Sequence, residues 1–530
     1  MLFRLLTVLF TLGFGLTIQA QTIRQLSFAD VGGADLFLDN IIEEDLEAAA
    51  GETHFIYELE RGFPYLFSGQ LRYDSTFHVD IRAQDGEGEL PIILQGISSG
   101  GEVEDQLFRL NGQGVLTLKN LLLSGRTDQG AFNERIVRVD GENTVFVDSC
   151  LFDQAGQAAF RVSGGDEKLF ITNSRFNRIG RPSNPDNGRF IDNRGDGLDT
   201  LVVRNCQITN VTSRAFRTGS GADANYVEFS GNTFVNIGQH AFDFQELNTL
   251  IFVNNIVANP IFLGFGLEDQ RLDDPEETRY VIELDTFLPE EMMVVVANNN
   301  IYLDPAVASA LPITEGDGDS ITPINMPERF YHPAIRAAID SSGEDTNISE
   351  VLNFEDGPID PVQFLQANAA DTTSGNEVPA AQPWDVSNLM ESPLYSGTAL
   401  GSTEPIARFS GFYDLCYGAD AESATASRLG NSLGAFTEDC TGLTNILNYA
   451  SNWNFSAFPN PTEGWINLQL ADNEERMMVT VFSATGKLVF RKEFFANQTA
   501  LDLSMQPAGT YFLQLRNQQG ATAVRAIIKR

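Results

Sequence analysis

Cationic residues are scarce in this chain: 34 Lys+Arg stand against 72 Asp+Glu, with only 4 His, giving a formal charge of -38. Nucleic acid and anionic membrane surfaces are excluded as partners, because both would have to approach a strongly negative field. Apolar runs are scarcer still. Beyond the first twenty residues nothing approaches the roughly 20 apolar residues a spanning helix needs, so no transmembrane segment is expected. Cysteine is limited to 4 residues, which allow two disulfides at most. The regular coils carry no helical stretch, whereas the stretch from Asp35 to Ala50 has a helical pattern.

The one apolar run lies at the start. Arg4, the run from Leu5 to Leu16 and the small residue Ala20 read as an export signal cleaved near residue 20. The remainder, about 510 residues, exceeds what one hydrophobic core serves, unless the architecture is a repeat growing along one axis. Charge is uneven along it. Residues 106–265 hold 15 Lys+Arg, 13 of them Arg, against 16 Asp+Glu, whereas residues 266–440 hold 6 against 32.

Between residues 115 and 302 a short phrase recurs: apolar, any residue, apolar, a polar step around Asn, then a bulky apolar anchor. It runs through Leu116-Thr117-Leu118 with Leu123, Val145-Phe146-Val147 with Phe152, Leu169-Phe170-Ile171 with Phe176 and Leu201-Val202-Val203 with Ile208. It continues through Val227-Glu228-Phe229 with Phe234, Leu250-Ile251-Phe252 with Val257, and Val294-Val295-Val296 with Ile301. The anchors are 29, 24, 32, 26, 23 and 44 residues apart. A period near 24 with occasional extra residues implies stacked coils whose insertions become loops. Each phrase has the period of two of a strand and is too short to stand alone. Stacking about 4.8 Å apart turns the apolar positions into continuous interior ladders. Asn120, Asn173, Asn205, Asn254 and Asn298 then line up at a sharp turn, where Asn tolerates left-handed backbone geometry. The expected fold is all-β, a right-handed parallel β-helix. The residues Phe55–Tyr57, His78–Ile81 and Ile92–Leu94 read as earlier coils, and the helical stretch 35–50 as the cap that an open solenoid end requires.

This register places Cys150 and Cys206 in one column with Ser174 between them. Two rungs, roughly 9 to 10 Å, exceed disulfide reach. They are expected to be free thiols, with Cys416 and Cys440 as the remaining pair.

Residues 303–440 are rich in Pro, Gly, Asp and Ser, and read as loop-rich structure belonging to the helix domain. Within them Phe412-Tyr413-Asp414-Leu415 and Ser432–Phe436 resemble the closing segment of β-helix proteins from Bacteroidetes. Glu315–Ser320 offers the alternating oxygens of a calcium loop, but Met326 stands where that loop needs Glu. A solvated turn is the expectation; calcium is a candidate cofactor without an assigned ligand set. The loop 264–290 is also strongly acidic.

From Ser456 the composition changes. Phe458-Pro459-Asn460-Pro461-Thr462 opens a series of strands with a Gly486-Lys487 turn, a Gly509-Thr510-Tyr511 strand and a basic terminus. These motifs resemble the C-terminal sorting domain of type IX secretion, across about 75 residues. The resemblance implies an immunoglobulin-like antiparallel β-sandwich, contact with the secretion machinery, and a secreted or outer-surface destination. The chain is thus divided into a signal (1–20), a cap with irregular coils (21–100), regular coils (101–302), an acidic part (303–440), a linker (441–455) and a sorting domain (456–530). A monomer is expected.

Exported parallel β-helices resemble polysaccharide lyases, pectin-type hydrolases and glycan-binding or adhesion proteins, a likeness of fold that does not itself set function. A hydrolase needs two carboxyl groups flanking the scissile bond. The column two residues before each strand's leading apolar position reads Arg135, Ala158, Gly188, Arg214 and His240, with no carboxylate, which disfavours hydrolysis. The next outward column reads Arg138, Arg161, Ile191, Arg217 and Asp243. Arg138, Arg161, Arg189, Arg217 and Asp243 are candidate substrate contacts, since guanidinium groups bind carboxylate or sulfate bidentately. Arg214 and His240 are candidate catalytic residues, His240 as a base titrating near neutral pH. Two readings stay open: a glycan-binding or adhesion protein without chemistry, and a lyase that cleaves an acidic polysaccharide by β-elimination. Alternatively, the stripe is a solvated ladder with Arg217 and Asp243 paired.

Overall fold

The computed structural model describes residues 21–261, 280–355, 413–440 and 455–530, with short gaps inside each stretch. The export signal, most of the acidic loop, the core of the calcium-like turn and nearly all of the 441–455 linker lie outside the described residues.

Three parallel sheets wind around one apolar interior. The first has ten strands, from Gln21–Leu26 through His54–Leu59, His78–Ala83 and Val115–Lys119 to Met293–Ala297. The second has nine, from Pro64–Phe67 to Asn300–Tyr302, and the third has eight, from Leu71–Tyr73 to Ile282–Leu284. Successive coils visit the sheets in that order, so each strand pairs with its counterpart one coil away. The anchors Leu123, Phe152, Phe176, Ile208, Phe234, Val257 and Ile301 form one unbroken column of the second sheet. All seven are fully buried, and each such side chain contributes roughly 1.5–3 kcal/mol.

The turn between the first and second sheets depends on left-handed backbone. Asn120, Asn173, Asn205, Asn254 and Asn298 have φ between 49° and 59°, and Gly231 takes the same place at 63°. One position further on, the column turns inward through Cys150, Ser174, Cys206, Asn232, Asn255 and Asn299. Asn255 donates to Phe229 O at 2.9 Å and to Asn299 Oδ1 at 3.0 Å, while its own Oδ1 accepts from Asn232 Nδ2. A polar ladder is affordable inside the coil because each amide is paired.

Both ends are closed by helices. Leu38–Glu47 buries Leu38, Ile41, Ile42 and Leu46, the spacing of one helix face. At the far end Pro333–Ser342 starts on an N-cap at His332, whose Nδ1 accepts from Ala334 N, and stops at Gly343 with φ 88°. Its Ile335 and Ile339 enter the main core. The stretch read as loop-rich therefore holds a capping helix. Residues 413–437 pack on the outer face of the second sheet, where Leu415, Tyr417 and Leu433 cover Val235, Ile256 and Tyr302. Cys416 and Cys440 form a disulfide there, and Cys150 and Cys206 are free and buried.

The C-terminal strands form two antiparallel sheets of three and four strands. Ile466, Leu468 and Leu501 from one sheet and Val479, Val481, Leu513, Leu515 and Ile527 from the other share a core, each set alternating with the period of two expected of a sandwich.

Candidate functional site: an arginine-lined face of the third sheet

Seven of the eight strands of the third sheet carry a consecutive pair of fully buried apolar residues, among them Ile136-Val137, Ala159-Phe160, Phe190-Ile191, Ala215-Phe216 and Ala241-Phe242. The residue after each pair points outward. Register therefore gives one outward column of Arg72, Arg109, Arg138, Arg161, Asp192, Arg217, Asp243 and Glu283. This corrects the sequence reading at one coil. Ile191 faces inward opposite Phe160 and Phe216, and Asp192 takes its place in the stripe. The same one-residue slip affects the corner column, where Arg189 stands in place of Gly188: Arg135, Ala158, Arg189 and Arg214. The corner column still has no carboxylate, but its neighbour has three, so the argument against hydrolysis does not extend to the stripe itself.

The slip matters because it puts an acid between Arg161 and Arg217 in the stripe. Asp192 is fully buried. Arg194 Nε donates to its Oδ2 at 2.9 Å, and its Oδ1 lies 3.4 Å from Arg217 Nη1 and 3.7 Å from Arg189 Nε. Arg189 also donates to Asn187 Oδ1. Around them Arg135 reaches Asp105 at 3.8 Å, and Arg138 donates to Asp140 at 2.9 Å. The Arg217 ion pair thus runs to Asp192, whereas Asp243 lies 3.7 Å from Arg214 and 4.0 Å from His240. Asp192 is thus shared by three arginines and Asp140 by Arg109 and Arg138.

Two consequences follow for the guanidinium groups. The Nε atoms of Arg135, Arg161, Arg189 and Arg217 are buried without a hydrogen-bond partner. Burial also depresses the pKa of Arg135 and Arg161 and brings Arg189 down to about 9, with surrounding arginines acting in the same direction against Asp192. All remain cationic at neutral pH.

His240 departs from its expected place. It is 0% exposed, beneath the stripe, and both ring nitrogens lack hydrogen-bond partners. Its position just before the buried Ala241-Phe242 pair turns the ring into the corner and away from the surface. Asp192, Arg194 and Arg135 are the charged residues the sequence reading did not assign to the site. The apolar pair Phe190-Ile191 was the available signal, since from Leu107-Phe108 onward the outward residue of every other coil follows such a pair.

Family models agree with this architecture. Residues 108–270 match the right-handed β-helix region, and residues 456–530 match the secretion system C-terminal sorting domain. The chain is a right-handed β-helix with a type IX secretion sorting domain. Export to the cell surface or the medium follows from that domain, and among the described residues no helix is long and apolar enough to cross a membrane. No curated protein matches the chain. Among solved structures, the β-helix protein is similar to a DUF3244-family protein with an immunoglobulin-like β-sandwich fold from Bacteroides vulgatus. That likeness is 15% identity over 16% of this chain and 90% of the other, with a TM-score of 0.14, too slight to bear on the fold.

Proposed function

We propose that this exported β-helix protein binds an acidic polysaccharide along the arginine-lined face of its third sheet, without cleaving it. The observation that carries the reading is the gathering of Arg135, Arg138, Arg161, Arg189, Arg214 and Arg217 in two adjacent columns of one sheet face, whose central acid, Asp192, already serves three arginines. Three arginines that share one carboxylate are incompletely neutralised, and an anionic ligand supplies further negative charge to the face. The strand spacing of about 4.8 Å sets these groups in two adjacent columns running across the coils, which suits an extended chain bearing repeated negative charge. The net negative charge of the protein makes the local surplus of cations more selective, because anions are repelled elsewhere.

A lyase reading would need a base at the surface, and the candidate His240 is fully buried. Asp243 lies between Arg214 and His240 as a counter-charge. Binding without chemistry is thus the better supported of the two readings. The test is titration of the full-length protein with alginate, polygalacturonate and chondroitin, with ultraviolet absorbance monitored for an unsaturated product. Binding without product is the expected result. Changing Arg214 and Arg217 together to Ala should weaken binding at least tenfold while the fold is retained. Unchanged affinity in a folded double variant, or steady release of unsaturated product by the native protein, would overturn the proposal.

A further inference from the structure

In the three-stranded sheet of the C-terminal sandwich, Trp465–Leu470 lies between Phe455–Phe458 and Gln498–Asp502, antiparallel to both. Alternation along the middle strand sends Ile466 and Leu468 into the sandwich core and turns Trp465 and Asn467 outward. Register sets Phe458 and Ala500 on either side of Asn467, and Asp502 beside Trp465. All five of these side chains are exposed. Phe458 and Trp465 are diagonal neighbours on adjacent strands, within the reach of aromatic side chains. Trp465 is 60% exposed and Phe458 46%, and Met505, just past Asp502, is 90% exposed. The turn that carries the indole is held in place. Thr462 Oγ1 donates to Trp465 O at 2.7 Å and accepts from Gly464 N at 3.0 Å, while Leu503 N donates to Gly464 O at 2.6 Å. Hydrogen bonds from Ser504 lower the pKa of Asp502 and keep it ionised.

We propose that this face, Trp465 and Phe458 with Asp502 at its edge, is where the secretion machinery grips the sorting domain, through an apolar cleft with a cationic rim. Large apolar side chains clustered in water on a domain that already has a closed core mark a contact surface. Aromatic rings, Trp above all, dominate the energetics of such contacts. The occupant follows from the family match and from charge. A sorting domain has to be bound by the apparatus that exports it. A second copy of the chain would instead bring another net charge of -38 to the contact, and an anionic lipid surface would meet the same repelling field. A partner with cationic groups around an apolar cleft gains from both rings and from Asp502.

The test follows export of the full-length protein in a cell with a type IX apparatus, by fractionation and immunoblotting. Trp465→Ser with Phe458→Ser should leave the thermal midpoint of the purified protein unchanged, because both rings are exposed. Surface and medium levels should fall at least tenfold, with the protein accumulating in the periplasm. Trp465→Phe keeps an aromatic ring and should retain most export. Asp502→Lys, which opposes a cationic rim, should lower export at least threefold. If the double variant does not fold, Trp465→Ser and Asp502→Lys alone decide the matter. Native export by the folded aromatic variant overturns the site, and native export by Asp502→Lys overturns the cationic rim. A purified native dimer that the aromatic variant turns into a monomer would assign the face to a second copy, and native binding to phosphatidylglycerol vesicles that the variant loses would assign it to lipid. Either result overturns the proposal.

Discussion

Asp192 and Arg217 occupy the same outward column on successive coils, with their charged atoms 3.4 Å apart. Because Asp192 also faces Arg189 and Arg194, it is the shared counter-charge of three guanidinium groups. Asp192→Asn would leave those cations without a common anion. Breaking a buried pair of this kind costs about 3–5 kcal/mol, so the thermal midpoint should fall by several degrees. Added sulfate should restore part of the loss by supplying a substitute anion. A variant with native stability in sulfate-free buffer would mean that the arginines are neutralised without Asp192.

Much of the fold was legible because the ladder positions repeat in one dimension. The anchors from Leu123 to Ile301 and the left-handed asparagines from Asn120 to Asn298 both follow from where each phrase recurs. The stripe was less legible. One coil was misread at the pair Phe190-Ile191, because taking Phe190 as the leading apolar residue shifts every later side chain by one place. Asn232, Asn255 and Asn299 were unforeseen inside the coil, since their burial depends on amide pairing across coils. The capping helix at Pro333–Ser342 was hidden by its polar flanks, although Ile335 and Ile339 have helical spacing. The pairing of Arg217 with Asp192 depends on side-chain reach across rungs, which the linear pattern does not encode.

Cys150 and Cys206 lie in one column, and burial pushes both thiols up to about 12. A thiolate is the reactive form, so neither should react with maleimide in the folded protein at pH 8. After unfolding without reductant, both should be labelled while Cys416 and Cys440 stay bonded to each other. Peptide mass spectrometry checks this. A recovered Cys150–Cys206 peptide would contradict the register that separates them by the rung of Ser174.

Glu167 supplies a pH dependence. It is fully buried at the corner between the third and first sheets, where its Oε1 accepts from Ser163 N and Gly164 N, and its Oε2 has no partner. Burial raises its pKa from 4.5 to about 7 against those donors. The folded state therefore favours the protonated acid. Its stabilising contribution is full below the unfolded pKa and is lost as pH rises through the folded one, a change of up to about 3 kcal/mol. Glu167→Gln should match the native protein near pH 4 and become the more stable of the two by pH 8. Thermal midpoints across that range measure the difference, and parallel curves for the two proteins would refute the shift.

The sorting domain has its own core, formed by Ile466, Leu468, Val479, Val481 and Leu513 among others, while the β-helix interior is closed by capping helices at both ends. Neither core contains residues of the other. Deleting residues 456–530, the span matching the sorting-domain family, should therefore leave the coils folded, with the same protease-resistant β-helix as the intact chain. What it removes is the signal read by the secretion machinery. The truncated protein should accumulate in the periplasm, with none at the cell surface or in the medium, and fractionation followed by immunoblotting separates the outcomes. Truncated protein in the medium would assign passage across the outer membrane to another part of the chain. Truncated protein that is degraded in the periplasm would show instead that the β-helix depends on the sandwich for stability, which limited proteolysis of the purified fragment measures directly.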